Sequence, residues 1–151
     1  LGGTWAMNPM DLSWRLLKRQ RRLSEFDPNW EDPEYGPVTE FHGTAAKNRR
    51  NIMMHGLEAQ PGTWDVENDE PIEEPVVWTT DDEEMAREYA QGTASGGSVD
   101  SKRDKPYLVG VRGIGLPEPQ YWAEDQPNDS TYMGRLKTIP PQRLVYDMGV
   151  E

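Results

Sequence analysis

A short strand-like run, Val38 to His42, leads into His42-Gly43-Thr44 and turns straight into a helix-like stretch that stops at His55-Gly56-Leu57. A strand that hands over to a helix within three residues fixes the local backbone and leaves few folds open. It also gathers three useful groups at one spot. These are an imidazole able to hydrogen-bond a sugar hydroxyl, a glycine whose bare backbone lets a flat ring approach, and a hydroxyl able to cap the helix. That combination suits a nucleotide site.

The 151 residues amount to one domain with a modest core. An apolar fraction of 34% with 14 glycines and 13 prolines predicts a small sheet-based core with long polar loops, not a helical bundle. The formal net charge of −11 argues against general binding to a nucleic-acid backbone and against an anionic membrane, both of which need a positive surface. With no cysteine, disulfides, thiolate metal sites and a cysteine nucleophile are excluded. This fits a reducing compartment, and a cytoplasmic location is the expectation. No apolar run approaches membrane-spanning length and no signal peptide is legible. Leu1 to Ala6 precede Met7 and read as a cloning remnant.

Residues 7–37 form a first unit. Asn8-Pro9 is a helix-start signature, and residues 9 to 23 read as a helix with Leu12, Leu16 and Leu23 near one face. Residues 1–23 hold five basic and one acidic residue, a net +4, so the remainder carries −15. This predicts a helix clamped to an acidic body, with a docking arm as the other reading. Residues 24 to 37 hold three prolines and five acidic residues and read as an extended linker whose Phe26, Trp30 and Tyr35 lie along the body.

Residues 38–151 form the main domain. The pattern predicts a strand over 38–42 and a helix over about 45–55, capped by Thr44 and closed by Gly56. It predicts a strand over 76–80 and a helix over about 82–91 opened by a Thr80–Glu83 capping box, with Ala86, Tyr89 and Ala90 on the inner face. Residues 92 to 105 read as mobile, 107 to 111 as a third, central strand, and 113 to 129 as a Pro- and acid-rich connection. Strands over 132–139 and 144–148, broken by Pro140-Pro141, complete the chain.

This ordered set resembles the ADP-ribosyltransferase superfamily, particularly its poly(ADP-ribose) polymerase-like and diphtheria-toxin-like branch. The quoted pieces are His42-Gly43-Thr44, the strand Val76-Val77-Trp78-Thr79-Thr80, the segment Ala86-Arg87-Glu88-Tyr89-Ala90, and Ile139-Pro140-Pro141. The resemblance implies an α+β fold of small split antiparallel sheets around an NAD cleft, with flanking helices and here an N-terminal helical arm. It implies that His42 hydrogen-bonds the nicotinamide ribose, that Gly43 presents its backbone to the carboxamide, and that Tyr89 stacks on the ring. Trp78 stands at the aromatic position of the second strand, and Thr44, Thr79 and Thr80 shape the pocket. A flat cationic ring prefers an aromatic face on general grounds as well.

One departure accompanies the match. The family's third motif is usually a glutamate near the start of the strand leading into Ile-Pro-Pro, and here that strand runs from Asp129 to Ile139 without one. By register the position falls at Thr131 or Tyr132. Asp129 and Tyr132 are therefore the candidates for the third catalytic position beside His42 and Tyr89, with Glu124 and Asp125 in the preceding stretch. The resemblance implies NAD as a substrate whose ADP-ribose passes to an acceptor, and the acidic surface suggests a basic protein partner. The other function class is a non-catalytic module that holds NAD or ADP-ribose, or an acidic protein that mimics nucleic acid in a basic groove. An RNA 2′-phosphotransferase, which also uses a His-Gly-Thr segment, is disfavoured because residues 76–80 offer no basic group for a phosphate. His55 reads as a partner of its helix's C-terminal dipole. No ligand spacing suggests a metal.

Overall fold

The computed structural model describes residues 25–65, 68–95, 105–125 and 130–148. The predicted N-terminal helix, most of the 92–105 stretch and Asp129 lie outside them. The chain opens with β1 (Val38–Ala45), a single 3-10 turn (Ala46–Asn48) and α1 (Arg49–His55). A two-stranded ribbon, β2 (Trp64–Asp65) and β3 (Glu70–Pro71), precedes β4 (Val77–Thr80) and α2 (Glu83–Ser95). Then come β5 (Pro106–Arg112), β6 (Tyr121–Asp125), β7 (Ser130–Arg135), a 3-10 turn (Pro141–Arg143) and β8 (Leu144–Met148).

The fold is α+β. Six strands form one antiparallel sheet in the order β6-β7-β4-β1-β5-β8. The expected pair of sheets is thus one continuous sheet, but with a seam. β1 runs alongside β5 from Val38 to Ala45, while its register with β4 consists of one pair, Phe41 opposite Thr80. β5 has β1 on one side and β8 on the other, so it lies inside the sheet, though β4 and β1 hold the middle.

Burial explains why β5 forms so clearly. Tyr107 to Arg112 are all buried, which gives the near-continuous apolar run of a strand covered on both faces. Tyr107, Val109 and Val111 join Ile52, Leu57, Ile139, Leu144 and Tyr146 in one core cluster. Leu108 stands opposite Gly43, so it shares the other face, against α2.

Several local expectations need correction. Thr44 is not a helix cap: β1 continues to Ala45 because Thr44 and Ala45 pair with Tyr107 and Pro106. The Thr44 hydroxyl instead accepts a bond from Asn48 Nδ2 at 2.9 Å. α2 is capped by Asp82, whose carboxylate accepts from the Glu84 and Met85 backbone N–H groups, while Thr80 Oγ1 accepts from the Asp82 N–H. α2 also runs on through Gly92 to Ser95, beyond its expected end. The connection expected after Gly113 contains strand β6, which pairs along its whole length with β7. β7 ends at Arg135, and Ile139 instead forms an isolated bridge with Leu57.

The segment preceding β1 does lie on the body. Buried Arg112 donates to the carbonyls of Gly36, at 2.9 Å, and Asp27, at 3.0 Å. Phe26 meets the Tyr146 ring at 6.2 Å, and the Arg143 guanidinium sits 4.5 Å over the Tyr35 ring. Arg112→Met keeps the aliphatic stem but loses both bonds. It is expected to lower stability by about 2 kcal/mol and to speed protease cutting between residues 27 and 36, read by limited proteolysis.

Candidate functional site

The seam between β1 and β4 opens into a cavity of about 560 Å³. Successive strand side chains point to opposite faces. The cavity nevertheless takes both His42 and Gly43 from β1, and both Trp78 and Thr79 from β4. It therefore sits at the opening where the two strands part.

His42 is held by the seam itself. Its Nδ1 lies 2.7 Å from the Trp78 carbonyl oxygen, which can only accept, so Nδ1 carries the proton. Nε2 is then the acceptor nitrogen of a neutral ring. Burial pushes the His42 pKa below the ordinary imidazole value, against the opposing pull of the Trp78 bond. The ring is therefore neutral at pH 7 and suited to accept a hydroxyl hydrogen.

Tyr89 lines the same cavity, but not as an inner-face residue of α2. Ala86 and Ala90, four apart, make that face and are 2% and 0% exposed, whereas Tyr89 is 60% exposed. Three residues past Ala86, its ring stands at the edge of the helix–strand contact and borders the cavity. Trp78 is half-buried and tilted against Tyr121, with ring centroids 6.5 Å apart.

Gly43 has a different reason for being glycine than the approach of a ligand ring. A Cβ there would collide with the Ala86 carbonyl oxygen and come within 2.9 Å of the Ala90 backbone nitrogen. Its missing side chain is the slot into which α2 settles. Gly43 still contributes to the cavity wall.

Thr79 is committed elsewhere. Its hydroxyl donates to buried Glu40, which also takes two bonds from the Arg135 guanidinium, one of them Nη2 to Oε2 at 2.9 Å. Thr79 thus shapes the wall without offering its hydroxyl to a ligand. Tyr132, one of the two positions that sequence register leaves for the third motif, stands opposite Thr80 in the register of β4 with β7 and lines the cavity. Asp129 lies outside the described residues. His55 is the exposed last residue of α1, at its C-terminal end.

Sequence reasoning missed two groups. The Glu40–Arg135 pair joins β1 to β7, and its one sequence trace is an acidic residue two positions before His42, on the same strand face. Glu58 is the carboxylate that lines the cavity among the described residues, held by Asn51 Nδ2 at 2.9 Å. It follows directly on the Gly56-Leu57 helix stop. No family model, curated protein or solved structure matches the chain.

Proposed function

We propose that the seam cavity binds NAD and that the chain transfers its ADP-ribose to an acceptor, as in the ADP-ribosyltransferase superfamily that the sequence resembles. The observation that carries this reading is the meeting of His42, Trp78 and Tyr89 on one cavity. In this reading the neutral His42 ring accepts a hydrogen bond from a hydroxyl of the nicotinamide ribose through Nε2. Trp78 and Tyr89 offer aromatic faces to the positively charged ring. The nicotinamide–ribose bond breaks with its electron pair leaving on nicotinamide. The ribose carbon gains positive charge, and an acceptor nucleophile bonds to it and loses a proton. Stabilisation of that developing charge supplies most of the rate.

A second reading has a specific observation behind it. Thr131 and Tyr132 are the positions at which the resemblance implies a glutamate, and Tyr132 lines the cavity, which favours a module that holds NAD without cleaving it. Titration calorimetry with NAD tests the shared part: saturable heat is expected, and His42→Ala weakens binding by about tenfold through the lost hydrogen bond. Nicotinamide release, followed by chromatography, separates the two readings. Release supports transfer, and saturable binding without release supports the module. Absence of any heat with NAD removes both.

The His42 environment gives a pH prediction. Its folded pKa lies below the unfolded value near 6.5, so the unfolded chain binds the extra proton first. The neutral-ring stability is fully present above pH 6.5 and is lost as pH falls through the folded pKa. NAD affinity falls over the same range, because a protonated Nε2 can no longer accept. His42→Gln is expected to remove this part of the acid sensitivity, read as melting temperature and NAD affinity between pH 7.5 and about pH 5.

A further inference from the structure

The negative charge of the chain is unevenly spread. Residues 51–86 and 113–134 hold fifteen aspartates and glutamates and no lysine or arginine, against a net charge of −11 for all 151 residues. These segments include β4, β6 and most of β7, the half of the sheet that ends at the edge strand β6. One aromatic pair stands on this half. Trp78 of β4 and Tyr121 of β6 both lie opposite Gly134 of β7, so their side chains share one sheet face. A Cβ at Gly134 would come within 3.2 Å of Trp78 Cη2 and 3.1 Å of Tyr121 Cβ, so the missing side chain leaves room for the Trp78 ring to reach across β7 toward Tyr121. The two half-buried rings tilt against each other with centroids 6.5 Å apart.

The rim of this shelf is a carboxylate. Glu74 is exposed, and its Oε2 lies 3.4 Å from the Tyr121 hydroxyl, longer than a strong O–H···O bond. No described lysine or arginine forms an ion pair with Glu74. Burial and then the charges of Glu74, Asp65 and Glu70 push the Tyr121 hydroxyl above its ordinary pKa, and none of the charges acting on it among the described residues is positive. Aromatic faces beside a carboxylate that lacks a cation suit a planar cationic group. We propose that the Trp78–Tyr121 shelf, with Glu74 at its rim, docks a positively charged segment of a partner protein through an arginine side chain. The guanidinium lies flat on a ring and donates to Glu74, and the acidic surroundings attract the rest of the segment. Lysine, a compact point charge, gains less from the same geometry. Trp78 lines the cavity whereas Tyr121 and Glu74 do not, so the docked segment lies beside the cavity and the proposal stands without the NAD reading.

NMR titration of the intact chain with a capped peptide of alternating arginine and glycine tests this, with the Trp78 indole N–H as reporter. The lysine and citrulline counterparts are titrated alongside, since citrulline keeps the shape of arginine without its charge. Saturable binding of the arginine peptide is expected, weaker binding of the lysine peptide, and none of the citrulline peptide. Glu74→Gln and Tyr121→Leu each weaken arginine-peptide binding by about two- to fivefold. Glu31→Gln, in the segment tied to Arg112 on the other half of the sheet, leaves it unchanged. Glu74 and Glu31 are exposed, so their variants fold, and melting curves verify all three. An unmoved Trp78 signal overturns the proposal, and so does lysine or citrulline binding as tight as that of arginine. Equal losses from Glu74→Gln and Glu31→Gln, with none from Tyr121→Leu, also overturn it, because they report diffuse attraction to an acidic body. Calorimetry with NAD is read separately, so failure of the docking surface and failure of the NAD reading are told apart.

Discussion

Glu40→Ala is expected to lower the unfolding free energy by about 3–5 kcal/mol, enough to leave a domain of this size barely folded. Glu40 and Arg135 are 7% and 5% exposed. The guanidinium bonds both Glu40 oxygens, touches Thr79 Oγ1 at 3.3 Å and donates through Nε to the Pro117 carbonyl at 2.7 Å. Removing the carboxylate strands a buried cation and a buried hydroxyl together. The loss has a particular place in the fold. Glu40 is on β1, Thr79 on β4 and Arg135 on β7, so the network ties across the seam where backbone register supplies only the Phe41–Thr80 pair. Glu40→Ala is therefore expected to loosen the cavity as well as the protein. Urea unfolding measures the first effect, and NAD titration well below the transition measures the second. Replacing both partners, as Glu40→Met with Arg135→Leu, is expected to cost much less than the single change, because no buried charge is left alone. A single-variant loss below about 1 kcal/mol would show that water reaches Arg135 and that the seam is held by something else.

Gly43→Ala is expected to be nearly as damaging, at about 3 kcal/mol or more, although it adds a single methyl group. The atoms it meets are the Ala86 carbonyl oxygen and the Ala90 nitrogen, helix backbone that cannot rotate aside. Relief requires α2 to move off β1, and Tyr89 moves with it. Thermal melting followed by circular dichroism reads the stability, and loss of NAD binding in the surviving folded fraction reads the displacement. Gly92→Ala in the same helix is the control. A Cβ there meets nothing within 4 Å, so the change is expected to stabilise by about 0.5–1 kcal/mol through reduced chain entropy. Equal effects at the two positions would mean that the α2–β1 contact is not as close as described.

The elements that sequence reasoning placed well are those whose local chemistry and tertiary role agree. Val77 to Thr80, Pro106 to Arg112 and Leu144 to Met148 are rich in β-formers and are buried over most of their length. β6 stayed hidden because its three-residue core, Tyr121-Trp122-Ala123, sits between Pro117-Glu118-Pro119 and Glu124-Asp125. Pairing with β7, not propensity, makes it a strand. Thr44 misled for the same reason. Its hydroxyl suits a cap, but β5 keeps the backbone extended through Ala45. At the site, His42 and Tyr89 were legible as residue types, and the cavity they share depends on the fold. The Glu40–Arg135 pair was not legible, since 95 positions separate its members and an acidic residue within β1 does not point to its partner.

The cavity wall is also closed by distant parts of the chain. Leu57 and Ile139 exchange backbone bonds, and Ala59 lies against Thr138 across 79 positions. Closing so long a loop is slow, because chain entropy is lost before any contact is gained. Binding competence should thus emerge last during refolding, after most of the sheet has formed, and a nascent chain still short of Ile139 would have no pocket to fill.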